Sequence, residues 1–159
     1  TVSTGAHKRE IQRISPEIQV FGQRCPKFVP LIEGEKFGTP ELKAAIHEYA
    51  DKLREHHVDT VLLSCTHYPF VRKEIEEEFG PEVTILDPAE RTAQDALENL
   101  EKRGLARTDG LGRAEVCFTA DLERGRRLAA RMLDLSKCSF HLIDLKKDPE
   151  QPEKEGKTA

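Results

Sequence analysis

The chain has 159 residues, of which 25 are basic and 29 acidic, for a net charge of −4 at pH 7. It therefore offers no basic field for a nucleic-acid backbone. Its apolar runs fall far short of the roughly 20 residues that span a bilayer, and no signal-peptide pattern opens it, so a cytoplasmic protein with neither membrane nor nucleic acid as partner is expected.

The first recognisable element is a helix from Pro40, with Thr39 placed to cap it and Leu42, Ala45, Ile46, Tyr49, Ala50 and Leu53 on one face. Asp59 to Leu63 then reads as a short strand, apolar on both faces as a buried parallel strand would be. After the turn Ser64-Cys65-Thr66-His67-Tyr68, Pro69 opens a second helix with Val71, Ile75 and Phe79 at intervals of four, stopped by Gly80. The alternation continues with strand 83–86 and a helix striped by Ala89, Ala93, Ala96, Leu97 and Leu100, with Gly104 as its stop. Strand 115–118, a helix begun by Asp121 and a last strand over 140–145 complete it. Strands and helices in turn imply an α/β protein with a parallel sheet. Residues 146–159 hold no large apolar side chain and read as a disordered tail.

Chemistry concentrates where the strand 59–63 runs out. Ligands bind beyond the carboxyl ends of parallel strands, because loops and exposed helix N-termini meet there, and Cys65 falls at that point. A helix opening near Pro69 would lend its partial positive charge to the sulfur, favouring thiolate. His67 could relay the proton, and Thr66 adds a hydroxyl and an amide suited to a carboxylate. The bland alternative is packing, since cysteine is among the most buried residue types. Against it, a buried strand does not normally continue into two hydrogen-bonding side chains and a proline.

The remaining candidates are weaker. The four cysteines, at positions 25, 65, 117 and 138, form no C-x-x-C pair, so reduced thiols and no metal site are expected. Cys25, before Pro26 in a loop-like stretch, and Cys117, inside a strand, are adequately explained by packing. Cys138 sits beside Lys137 at a helix end, where the dipole disfavours thiolate. His56-His57 reads as a solvated helix terminus, and Glu33 as a lone acid leaving the apolar run Phe28 to Ile32, ordinarily a loop carboxylate in water.

The string Leu63-Ser64-Cys65-Thr66-His67-Tyr68-Pro69 resembles the second cysteine motif of glutamate racemases, commonly L-G-C-T-H-Y-P, with Ser64 for the glycine. Arg24 to Glu33 resembles that family's A-C-P-L-F-V-P-L-V-E segment, and Ile85-Leu86-Asp87-Pro88-Ala89 its I-D-P/S-A strand end. Thr1-Val2-Ser3-Thr4-Gly5-Ala6 resembles the end of G-T-x-A-T-V-x-S-x-A-Y, with His7 for the tyrosine. The resemblance implies an aspartate/glutamate racemase-like α/β fold and a cofactor-independent enzyme, often dimeric, that supplies D-glutamate for peptidoglycan. Two cysteines would face the α-carbon of glutamate from opposite sides. By position, Cys65 would be one of them, His67 and Glu33 would tune or relay its proton, and Thr66 and Thr1 would bind the substrate.

One departure is decisive. The partner thiol of the family lies in a C-N-T motif after a D-S-G-x-G-G loop, and the chain contains no Cys-Asn pair. It also starts Thr1-Val2-Ser3 without a methionine, so a processed or truncated start is expected. The resemblance therefore implies a C-terminal portion that is inactive alone. Residues 1–86 would be the α/β domain carrying the motif, and residues 87–145 would return to complete the other domain. The rival readings are a racemase of a related amino acid such as aspartate, and a non-catalytic remnant that only binds a ligand or partner.

Overall fold

A computed structural model describes residues 2–107 and 112–145; Thr1 and the segment 146–159 lie outside the described residues. The chain divides into two compact units, one up to Ala106 and one from Arg107 onward.

The first unit opens with α1 (Ala6–Ile14), which the sequence pattern did not reveal, followed by α2 (Phe28–Glu33) and α3 (Pro40–Arg54). Thr39 caps α3 through an Oγ1 that accepts the Leu42 amide at 3.3 Å, and Pro40 takes the first helical position, where its missing N–H costs nothing. The stripe Leu42, Ala45, Ile46, Tyr49 and Ala50 is buried. It packs with Phe28, Leu31 and Ile32 of α2 and with Leu63, Val71, Ile75 and Ile85 into one apolar cluster. Removing these side chains from water is the main force holding the unit together.

Strand β1 (Thr60–Leu62) pairs in parallel with β2 (Thr84–Leu86), Val61 opposite Ile85, and the Leu63 amide extends the ladder to the Leu86 carbonyl at 2.9 Å. The connection runs through a 3-10 turn (Tyr68–Val71) and α4 (Arg72–Phe79). β1 is not the wholly buried strand its composition suggests: Leu63, just past it, is buried, whereas Leu62 and its β2 partner Leu86 are partly exposed, at 38% and 47%. Gly80 ends α4 with a positive φ of 78°, which a side chain would resist. Arg72 then ties three elements together, bonding Glu76 at 2.7 Å, the Ile85 carbonyl at 3.2 Å and Glu90 at 2.5 Å on α5 (Pro88–Lys102). That last helix has its cap, Asp87 accepting the Ala89 amide at 2.9 Å, yet none of its residues is buried.

In the second unit, β3 (Ala114–Phe118) and β4 (Cys138–Leu142) form a parallel pair joined through α6 (Leu122–Ala129) and a 3-10 turn at Leu135–Lys137. The final strand thus begins two residues earlier than the pattern suggests and stops at Leu142. Asp121 caps α6 by accepting the Arg124 amide at 3.2 Å. Gly125 lets α6 lie directly on Phe118, whose ring stacks at 6.5 Å on Phe140 while Arg126 covers the Phe140 face. Cys117 is exposed, so packing does not explain it, contrary to the sequence expectation.

Candidate active site

The motif turn is built by β1 delivering the chain to Leu63, which is anchored in the core, so that the next residues must leave the sheet. Ser64 donates back to the Leu62 carbonyl at 3.4 Å, the Tyr68 amide closes on the Cys65 carbonyl at 3.1 Å, and the Phe70 amide on that of His67 at 3.1 Å. Pro69 sits in the 3-10 turn rather than opening the helix; α4 begins only at Arg72. The expected nearness of a helix N-terminus to the Cys65 sulfur is therefore corrected: a full 3-10 turn stands between them. Cys65 is neither walled in nor fully open, with intermediate exposure.

His67 reaches from this turn to α2, where its Nε2 lies 2.9 Å from Glu33 Oε1. A carboxylate can only accept, so Nε2 carries the hydrogen, and in the neutral ring this leaves Nδ1 as the acceptor. Glu33 is not the loop carboxylate expected from local sequence. It is the last residue of α2, and its position follows from the burial of Phe28, Leu31 and Ile32 on the opposite side of that short helix. Both side chains of the pair are about one third exposed, at 30% and 37%. Thr66 lies exposed on the same turn. Thr1, the other substrate-contacting candidate, falls outside the described residues.

Two further residues lie near Cys65: Cys25, which the sequence reading assigned to packing, and Tyr68, to which it gave no role. Cys25, just before α2, is a half-buried thiol that donates to the Gln23 carbonyl at 3.7 Å. Burial pushes its thiol up to about 11, a hydrogen bond from Tyr68 and the Lys52 charge partly offset this, and the neighbouring Cys65 adds to the rise. Burial likewise pushes the Tyr68 phenol well above its ordinary value, with Cys25 and Cys65 acting in the same direction. The Tyr68 ring meets Phe28 edge-on at 5.2 Å, and Phe28 meets Tyr49 the same way at 5.2 Å. Nothing in sequence spacing links positions 25 and 68; only the tertiary fold brings them together.

Other polar groupings lie elsewhere. His47, Asp51 and Glu78 gather on α3 and α4 with ligand-type atoms within 4.8 Å, but Arg54 already bonds both carboxylates at 2.7 Å, so an ion pair accounts for the cluster. An open cleft of about 640 Å³ runs along Arg72, Glu76, Gly80, Pro81 and Thr84, and none of Glu33, Cys65, Thr66 and His67 lines it. Among the described residues no helix is long and apolar enough to cross a membrane.

No protein-family model matches the chain. A curated glutamate racemase of Desulforudis audaxviator is 42% identical over 106 residues, covering 67% of this chain and 39% of that protein. One from Thermoanaerobacter is 34% identical over 133 residues, covering 84% of the chain and 50% of the relative. Among solved structures, a glutamate racemase isoform from Bacillus anthracis superposes with a TM-score of 0.80 at 23% identity, over 91% of this chain and 54% of that one, a likeness of fold alone. The glutamate racemase of Thermus thermophilus, solved with β-chloro-D-alanine, gives 0.72 at 31% identity over 91% and 53%. The architecture is that of an α/β racemase with short parallel strands. The chain belongs to the glutamate racemase family, and spans about half the length of the curated relatives it matches.

Proposed function

We propose that the chain is the part of a glutamate racemase that carries one of its two acid/base thiols, and that it interconverts L- and D-glutamate without a cofactor when the complementary part is present. Inverting a stereocentre by deprotonation needs one acid/base group on each face of the α-carbon, each within hydrogen-bond reach of its proton. Cys65 serves one face; His67 and Glu33 set and relay its proton; Thr66 and Thr1 bind the substrate carboxylates. The second thiol belongs to a C-N-T motif that these 159 residues do not contain. Relatives at 34–42% identity and a Francisella tularensis racemase solved with D-glutamate, matched in fold, support glutamate as the substrate.

The observation that carries this reading is the His67–Glu33 hydrogen bond, which joins two motifs 34 residues apart beside a thiol at a strand end. Residues 1–86 would be the domain bearing Cys65 and residues 87–145 would complete a second α/β domain in the whole enzyme; the unburied stripe of α5 favours that division, although in this chain α5 groups with the first unit. The whole enzyme would work as a cytoplasmic homodimer, supplying D-glutamate for peptidoglycan and so for cell-wall growth and cell shape.

Solvent deuterium incorporation at the α-carbon of each enantiomer tests the proposal, measured by mass spectrometry for the chain alone and for the chain joined to a racemase segment bearing the C-N-T cysteine. Label with inversion only in the joined protein is expected. Sustained racemisation by the chain alone would refute the division of labour between two thiols, and no exchange in the joined protein would overturn the assignment.

A further inference from the structure

The acid of the His67–Glu33 pair is presented by a helix with little stability of its own. α2 has six residues, includes Pro30 and receives no cap from the Lys27 side chain, and helices shorter than roughly 12 residues are marginal in water. Tertiary contacts must therefore decide where its last residue, Glu33, stands. At the opposite end of α2 those contacts come from α3. The Lys27 amide donates to the Tyr49 hydroxyl at 3.3 Å, and the Lys27 ammonium pairs with Glu48, the residue before Tyr49. The ion pair lies in solvent, where it contributes little, whereas Tyr49 is 4% exposed. The hydroxyl is thus the firmer of the two holds.

The Tyr49 ring extends that hold to the motif turn. Phe28 is buried between two tyrosines, its centroid 5.2 Å from Tyr49 at an interplanar angle of 73° and 5.2 Å from Tyr68 at 84°. Both contacts are edge-to-face, the arrangement that ring quadrupoles favour. Tyr68 directly follows His67, and its amide donates to the Cys65 carbonyl at 3.1 Å. One side chain is therefore registered to both members of the pair, to Glu33 through the start of α2 and to His67 through Phe28 and Tyr68. It belongs to the buried stripe of a capped helix of 15 residues, which makes α3 the fixed frame and α2 the part that is set against it.

We propose that Tyr49 is a positioning residue: its hydroxyl holds the first turn of α2 and its ring holds Phe28 against the motif turn, and together they set Glu33 at bonding distance from His67 Nε2. The inference rests on the racemase reading for its purpose, but its test does not.

The readout is the ratio of the Nε2–H to the Nδ1–H tautomer of His67, taken from ring ¹⁵N chemical shifts of the full chain at about pH 9, well above the ordinary histidine value. The signals are assigned by their loss in His67→Gln. Tyr49→Phe keeps the ring on Phe28 and removes only the hydroxyl, and it lowers the ratio about fivefold, the scale of one net hydrogen bond. Ile85→Val trims the same apolar cluster on β2, a loss of stability without a contact to α2, and leaves the ratio at the parent value. In a Glu33→Ala background, where the ratio has already fallen, adding Tyr49→Phe changes it no further. A parent ratio in Tyr49→Phe, an equal fall in Ile85→Val, or a further fall in the Glu33→Ala background overturns the assignment. Because the readout is the His67 ring and not turnover, failure of racemisation in the joined protein would count against the racemase reading while leaving this result standing.

Discussion

His67 Nε2 and Glu33 Oε1 meet at 2.9 Å across 34 residues of chain, the first on a turn after β1 and the second at the end of α2. The bond fixes which ring nitrogen bears hydrogen, and so which one can exchange a proton elsewhere. In the joined racemase, Glu33→Gln is expected to lower kcat by about tenfold or more with little change in KM, since an orienting partner acts on the proton-moving step. Steady-state circular dichroism of glutamate racemisation measures it. A KM effect with unchanged kcat would place Glu33 in substrate binding instead.

Cys65 and Cys117 are both accessible to solvent, yet only Cys65 lies at a strand end among hydrogen-bonding neighbours. In the joined enzyme Cys65→Ser is expected to reduce turnover by about 10²–10⁴, the range for losing a positioned acid/base group, and Cys117→Ser to leave it within twofold, about the noise of a neutral surface change. Comparable losses from both would deny Cys65 a special role.

His47 faces Glu78 through Nδ1 at 2.9 Å and Asp51 through Nε2 at 3.2 Å, with Arg54 beside both acids. Both nitrogens can donate only in the imidazolium, and its pKa is raised, chiefly by the hydrogen bond to Glu78. A folded value above the unfolded one gives stability that is complete below the unfolded value, about 6.5, and lost as pH rises through the folded value. The melting temperature of the parent should therefore exceed that of His47→Gln by the widest margin near pH 6, about half a unit below that reference. The margin should close toward alkaline pH, and one independent of pH would rule out the bridging imidazolium.

At Gly125 an added methyl carbon would sit 2.4 Å from a ring atom of Phe118. Making room would move that ring out of its stacking on Phe140, whose other contact is Arg126. Gly125→Ala is expected to cost about 1–3 kcal/mol of the second unit's stability despite alanine's better helix propensity. Urea unfolding followed at that unit measures it, and Phe118→Leu in the same chain should recover part of the loss.

The order of strands and helices was legible because local signals agreed with tertiary need. Thr39, Pro40 and the stripe from Leu42 to Ala50 mark both where α3 starts and which side it buries. α1 went unseen because its apolar residues are too few for a clear period, and α2 because six residues with an internal Pro30 look like loop. Misplacing α2 is what made Glu33 seem solvated. At the site, Cys65, Thr66 and His67 announce themselves by adjacency, whereas Cys25 and Tyr68 are joined only by how α2 docks. The helix expected at Pro69 is delayed because the 3-10 turn must first bring Val71 into the core.

Helices α3 and α5 make a natural comparison. Each has 15 residues, a side-chain cap and a leading proline, yet α3 buries five residues and α5 none. Isolated helices of that length are marginal in water, because local propensity barely offsets nucleation. The amide protons of α5 should therefore trade with solvent orders of magnitude sooner than those of α3, so that its exposed Leu97 and Leu100 are held far less firmly than the buried stripe of α3.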